Sequence, residues 1–274
     1  MLPVVLDEIV SQIAKSLETT ERLVWVRDEP TQEDLDHILQ EGSQNSEFDP
    51  LGLRKSVLED LRTGRARLIT KSSALAKVLA IVYPGQTIPW ELFGRIFQTF
   101  GTARNRPWRI VWFANPTQRA LPPPPTPASP QHLNGGYALP CRPDSIIIYR
   151  YEEAARVLIH ELLHAACTDD MNDPVDVRET KTEVWAELFL TAIQARGRPR
   201  VAARLWRSQA QWIANQQAVL QADHGTNSPT DYAYRYTVGR RDFLESLGIK
   251  LPEAGADARA ALGGSLRFTT PLLS

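Results

Sequence analysis

The chain has 274 residues, of which 43% are hydrophobic and 23% are charged, and its formal net charge is -1. This length allows one large domain or two small ones, and the composition is typical of a soluble globular protein. A net charge so close to zero creates no global field that attracts nucleic acid or an anionic membrane. We therefore expect neither as a partner.

Residues 1–70 are predicted to form an N-terminal α/β region. Hydrophobic spacing indicates helices over 3–17, 31–40 and 53–62, and a β-rich run indicates a strand over 22–27. The N-terminus lacks a basic leader followed by an apolar core, and no apolar run is long enough to span a membrane. We expect an intracellular, cytoplasmic protein without a signal peptide or transmembrane segment.

Residues 71–197 are predicted to form the central core, and residues 198–274 a C-terminal helical region with a tail. The elements expected in the core are helices over 73–82 and 89–100, strands over 108–114, 134–139 and 145–150, and helices over 151–167 and 180–195. The elements expected in the C-terminal region are helices over 201–221 and 231–247.

A His-Glu-Leu-Leu-His motif occupies residues 160–164 inside the predicted helix 151–167. Histidines four residues apart lie one turn apart on the same helix face, so His160 and His164 can bind one ion. Glu161 then lies beside that ion, where it can take a proton from water. The alternative interpretation is that both histidines are ordinary core residues bonded to backbone carbonyls.

A third ligand is expected, because catalytic zinc usually has three protein ligands and one open position. Glu183 is the best candidate, since 18 residues separate it from His164, enough for a loop and a returning helix. Asp170 is the alternative, because it follows His164 at the spacing of the third ligand in metzincin-type sites. Cys167 stands where those sites need a glycine turn, which favours Glu183. Asp170 could instead accept a hydrogen bond from a ligand.

With this motif and Glu183, the chain resembles the gluzincin metallopeptidases, the thermolysin-like and aminopeptidase N-like enzymes in which a HExxH helix precedes a glutamate helix. The resemblance covers residues 108–195 and implies an α+β fold with a zincin-like core: a small mixed sheet, an active-site helix and a glutamate helix. It also implies that one zinc ion binds to His160, His164 and Glu183, that Glu161 is the general base, and that Glu187 orients a ligand histidine. The alternative for Glu187 is a plain exposed acid.

The resemblance further implies an edge strand above the metal that pairs with an extended substrate. Asn134, Gly135, Gly136 and Tyr137 occupy the matching place, and the two glycines allow a close backbone approach. An Asn-Gly turn joining two strands is the alternative interpretation.

Relatives also carry a tyrosine or histidine, beyond the glutamate helix, that stabilises the oxyanion. Tyr236 is the favoured candidate, and Tyr232, Tyr234 and His224 are the others. For each of these tyrosines taken singly, packing in the core is the stronger explanation.

The two cysteines, Cys141 and Cys167, are too few for a disulfide framework, and we predict two free thiols in a reducing compartment. The sequence as a whole predicts a zinc metallopeptidase that acts on a peptide or protein substrate. Two alternatives remain: a zinc-bearing scaffold that binds peptides or proteins without cleaving them, and a nucleic-acid-associated protease with His224 as the third ligand.

Overall fold

The computed structural model describes residues 2–19, 22–103 and 105–273, which form an α+β protein as the sequence predicts. Its helices are α1 (Val4–Thr19), α2 (Gln32–Ser43), α3 (Leu53–Arg62), α4 (Trp90–Phe100), α5 (Pro130–Leu133), α6 (Ala154–Ala165), α7 (Val175–Ala195), α8 (Pro199–His224), α9 (Arg240–Ser246) and α10 (Ala258–Leu262). Its strands are β1 (Val26–Arg27), β2 (Arg67–Ser72), β3 (Ala76–Val82), β4 (Trp108–Phe113), β5 (Gly136–Ala138) and β6 (Ile146–Ile148).

The chain divides into two compact units. The sheet unit consists of Thr19–Gln118 and Asn134–Thr168, and the helical unit of Met1–Glu18, Arg119–Leu133 and Asp169–Ser274. The boundaries expected near residues 70 and 197 therefore each fall inside one of these units.

The sheet unit is built on a six-stranded mixed sheet with the order β1-β2-β3-β4-β6-β5. The three central strands β3, β4 and β6 run parallel, and β1, β2 and β5 pair antiparallel with their neighbours. The central strands are nearly continuous apolar runs, as expected where helices cover both faces of a sheet. β5 lies at one edge of this sheet, next to β6.

Helices cover both faces of this sheet. α2 and α3 bury Ile38 and Val57 against Leu79 of β3 and Val111 of β4. On the opposite face, Phe93 of α4 packs against Trp112 of β4 with ring centroids 5.7 Å apart. α6 lies on this second face, where it contacts α4, β5 and β6.

The predicted helix 73–82 is wrong, because residues 76–82 form the central strand β3. A short apolar run has no periodicity that separates a buried helix from a buried strand. Pairing with β2 on one side and β4 on the other decides the outcome. β2 itself was not expected from the sequence.

The helical unit contains α7 and α8, which pack together, and α9 and α10, which pack on α7 and α8 respectively. The predicted helix 231–247 is only partly correct, since regular helix covers Arg240–Ser246. Asp231 accepts hydrogen bonds of 2.8 Å from the backbone N–H groups of Asn227 and Ser228. Such local side-chain bonds compete with helix formation. Among the described residues, every helix is too short or too polar to cross a membrane.

Candidate metal centre

The two motif histidines lie on consecutive turns of α6, buried in the sheet unit. His160, Glu161 and His164 are 6%, 5% and 8% exposed. The Nε2 atoms of the two histidines are 3.1 Å apart, and the rings are nearly perpendicular at 76°. α6 therefore directs two nitrogen atoms at one point.

This arrangement fits a zinc ion. Two nitrogen ligands of a tetrahedral zinc lie about 3.3 Å apart, since each Zn–N bond is about 2.0–2.1 Å long. The observed separation of 3.1 Å between the Nε2 atoms needs little adjustment to reach that value. A hydrogen bond between the two rings would bring the same two Nε2 atoms equally close. The metal content of the protein distinguishes this hydrogen-bonded pair from a zinc site.

Glu161 lies against the edge strand β5. A β-carbon at residue 136 would lie 3.1 Å from the Glu161 Oε1 atom, 2.6 Å from Val157 Cγ1 and 2.8 Å from the backbone oxygen of Ile147. Gly136 is therefore the residue that lets β5 approach the carboxylate of Glu161. The sequence predicts that the chain is closely approached at this glycine. In the structure, the group that approaches it is the carboxylate of Glu161.

The other predicted substrate-binding residues lie along the same edge. The Gly135 carbonyl accepts a hydrogen bond of 2.8 Å from the Tyr149 N–H, which keeps β5 in register with β6. The Asn134 side chain donates to the Phe48 carbonyl at 3.2 Å. Asn134 thus fastens the loop between α2 and α3 to the edge of the sheet.

Tyr137 lies on the opposite face of β5 from Glu161. Its hydroxyl donates to the Glu41 carboxylate and accepts from the buried Arg54 guanidinium. Burial, followed by the bond to Glu41, raises the pKa of Tyr137 above its usual range. The side chain therefore anchors β5 to α2 and α3, and its hydroxyl is already engaged by Glu41 and Arg54.

The acidic candidates are all in the helical unit. Glu183 is 1% exposed on α7. Glu187, one turn further on, forms an ion pair with Arg240, and both side chains are fully buried. Asp170 is exposed, and its Oδ1 atom accepts hydrogen bonds of 3.0 Å from the N–H and the side chain of Asn172. The sequence does not indicate this ion pair, because Arg240 and Glu187 are far apart along the chain.

Tyr236 packs in the core of the helical unit. Its ring lies 5.3 Å from that of Tyr232 and 6.5 Å from that of Phe268. Burial, with the nearby charge of Glu179, raises the pKa of Tyr236 well above its usual range. The phenol therefore stays protonated and can act as a hydrogen-bond donor.

The remaining donor candidates have contacts within the same unit. His224 is the last residue of α8, and its Nδ1 atom lies 2.8 Å from the Thr126 carbonyl oxygen. The Tyr234 hydroxyl lies 3.5 Å from a carboxylate oxygen of Asp242.

The two cysteines form a disulfide bond, so the prediction of free thiols is wrong. Cys141 and Cys167 have Cα atoms 4.6 Å apart, and both of their N–H groups donate to the His164 carbonyl at 3.1 Å. The loop after β5 and the end of α6 therefore meet at the His164 carbonyl. The spacing of the two cysteines along the sequence does not reveal this proximity. The expectation of a reducing compartment rested on free thiols and loses that support.

We expect the double substitution Cys141→Ser/Cys167→Ser to lower the free energy of unfolding by about 3 kcal/mol, because the bond closes a long loop in the unfolded chain. The loop joins residues 26 apart. Urea denaturation of the variant and the oxidised wild type measures this difference. Wild-type protein treated with a thiol reductant should match the variant, and an unchanged midpoint in both would contradict the bond.

Comparison of the chain with protein-family models, with curated proteins and with solved structures returns no match.

Proposed function

We propose that this protein is a zinc-dependent metallopeptidase in which His160 and His164 bind the metal and Glu161 is the general base. The observation that carries this proposal is the pair of Nε2 atoms 3.1 Å apart on a buried helix that also presents Glu161 to an edge strand. Metal binding alone has no need of Glu161, whereas hydrolysis needs a base at that place.

A carboxylate of α7 completes the proposed ligand set. Glu183 has the spacing expected from the gluzincin resemblance and is buried. Glu179, one turn earlier on the same helix, is the competing ligand. Glu187 is the least suitable, because Arg240 already neutralises it.

Bound zinc would supply Lewis acidity next to Glu161. Glu161 accepts a proton from the water that attacks the scissile carbonyl, and returns it to the leaving amine nitrogen. Its side chain is buried against Gly136, so it is held in place for this transfer. Tyr236, protonated across the neutral pH range, is the proposed donor to the oxyanion.

The substrate is proposed to be an extended peptide segment paired with β5, beside Asn134, Gly135 and Gly136. In this proposal the sheet unit supplies the sheet and the active-site helix of a zincin-like core. The antiparallel pairing of β5 with β6 at the edge of the sheet, next to the HExxH helix, supports that assignment.

Zinc content per chain tests the proposal. Untagged protein purified without added metal should carry close to one zinc ion, and His160→Ala should carry none. His132→Ala is the matched control, because His132 lies outside α6 and bonds to Ser129. Folded wild-type protein that neither contains zinc nor takes it up would overturn the proposal.

Zinc affinity, measured by competition with a chelator, identifies the third ligand. Glu183→Gln and Glu179→Gln are compared, and the variant that removes the true ligand should bind zinc at least tenfold more weakly than the other variant. If His224→Ala loses zinc while both glutamine variants keep it, the third ligand is His224.

A further inference from the structure

The outer edge of β5 has a defined pattern of backbone groups. Because the Tyr149 N–H bonds to the Gly135 carbonyl, residues 135 and 149 form a hydrogen-bonded pair. Hydrogen-bonded and non-hydrogen-bonded pairs alternate in antiparallel strands. The N–H and C=O groups of Gly136 and Ala138 therefore point away from β6, toward the open edge. β5 is half-buried, and within the described residues it is the last strand of its sheet.

The two faces of this edge differ in chemistry. Gly136 faces α6 and the carboxylate of Glu161. Tyr137 faces the other way, and its ring stacks on that of Phe48 with centroids 5.6 Å apart and 26° between the ring planes. Adjacent residues of an extended chain along this edge would alternate between the Glu161 face and the Phe48 face.

Phe48 is held in an exposed position. The residue is 46% exposed. Its carbonyl accepts hydrogen bonds from Asn134 and from the hydroxyl of Tyr149. The next residue, Asp49, is buried and binds the N–H groups of Leu53 and Arg54 at 2.9 and 3.0 Å. The loop therefore cannot easily turn the ring inward.

A large apolar ring fixed beside open backbone groups suits one kind of ligand. The backbone groups of Gly136 and Ala138 need a peptide backbone, and the ring of Phe48 gains by covering an apolar side chain. Leu51, in the same loop, is also exposed and adds apolar surface. No charged side chain is needed for either contact.

We infer that Phe48 makes this edge selective for extended peptides that carry a large aliphatic or aromatic side chain opposite Tyr137. The neighbouring residue of such a peptide presents its side chain to the Glu161 face. This inference rests on the proposed function, because it names the substrate that the proposed peptidase prefers. It adds a specificity-determining residue that lies outside the HExxH motif and the edge strand.

Two fluorescein-labelled decapeptides test the inference, one of alternating Thr and Leu and one of alternating Thr and Ala, each flanked by lysines for solubility. Binding is measured by fluorescence anisotropy in a Glu161→Gln background, so that cleavage does not remove the ligand. The leucine peptide should bind about tenfold more tightly than the alanine peptide, since one apolar side chain becomes buried. Phe48→Ala should abolish this difference, and Phe48→Leu should keep most of it.

Val26→Ala is the matched control, because Val26 is 62% exposed on β1, the opposite edge of the same sheet. It should leave the preference unchanged. Equal binding of the two peptides, no binding of either, or a preference that survives Phe48→Ala would each overturn the inference.

Cleavage of both peptides by the wild type, followed by mass spectrometry, separates this inference from the proposed function. A Phe48-dependent binding preference without cleavage means that the edge recognises apolar peptides but the peptidase assignment fails. Cleavage without a Phe48-dependent preference means that the peptidase assignment stands and the role of Phe48 is wrong.

Discussion

Replacing Glu161 by glutamine should lower the rate of peptide hydrolysis about a thousandfold, while zinc stays bound. Glutamine has nearly the same shape as glutamate, so the contact with Gly136 and the packing of α6 are kept. It cannot accept a proton from water at neutral pH, however, and the proton for the leaving amine is lost with it. The effect should therefore fall on kcat, with little change in KM.

The measurement is a steady-state assay on a quenched fluorescent peptide, together with zinc analysis of each protein preparation. Glu59→Gln provides the control, because Glu59 is an exposed acid on α3 of the same unit. Equal activity in wild type and Glu161→Gln would show that hydrolysis does not depend on this site. If neither protein cleaves peptides but both hold zinc, the protein is a zinc-bearing scaffold.

Replacing Arg240 by alanine should lower the free energy of unfolding by about 4 kcal/mol, because it leaves the charge of Glu187 buried without its cation. Both side chains are fully buried, and Arg240 also donates to Gln216 at 2.6 Å. Since small proteins are stable by only about 5–15 kcal/mol, this variant should melt far below the wild type. Thermal and urea denaturation both measure the change.

Two further variants make this result specific. The double variant Glu187→Leu/Arg240→Met should recover most of the lost stability, because apolar side chains of similar size can replace a buried ion pair. Arg241→Ala should cost only about 1–2 kcal/mol, since Arg241 is partly exposed and its partner Gln217 carries no charge. Equal stability of Arg240→Ala and Arg241→Ala would contradict the ion pair.

The same variants address the role predicted for Glu187. If it orients a ligand histidine, Glu187→Gln should reduce zinc affinity about tenfold or more. If it serves the ion pair with Arg240, stability should fall and zinc affinity should be kept. The burial of both partners favours the second result.

Local features of this protein follow from its sequence. The bounds of α3, 53–62, agree with those read from hydrophobic spacing, and glycines 52 and 64 flank that helix. The placement of His160 and His164 on one helix face needs only the geometry of a single helix. The short strand at Gly136 was also predicted from the sequence of residues 134–139, whereas its place at the edge of the sheet was implied only by the family resemblance. Metal binding by His160 and His164, and the identity of any further ligand, stay predictions.

Contacts between distant parts of the chain depend on the tertiary structure. Ala76–Val82 is a strand because two neighbours pair with it, although its sequence suits a buried helix equally well. The bond between Cys141 and Cys167 forms because β5 and α6 end at the same carbonyl. The ion pair of Arg240 with Glu187 and the stacking of Phe48 on Tyr137 likewise join residues that are distant in the sequence. Sequence spacing determines which residues share one helix or strand, whereas the packing of those elements decides which buried charge is neutralised and which apolar ring stays exposed.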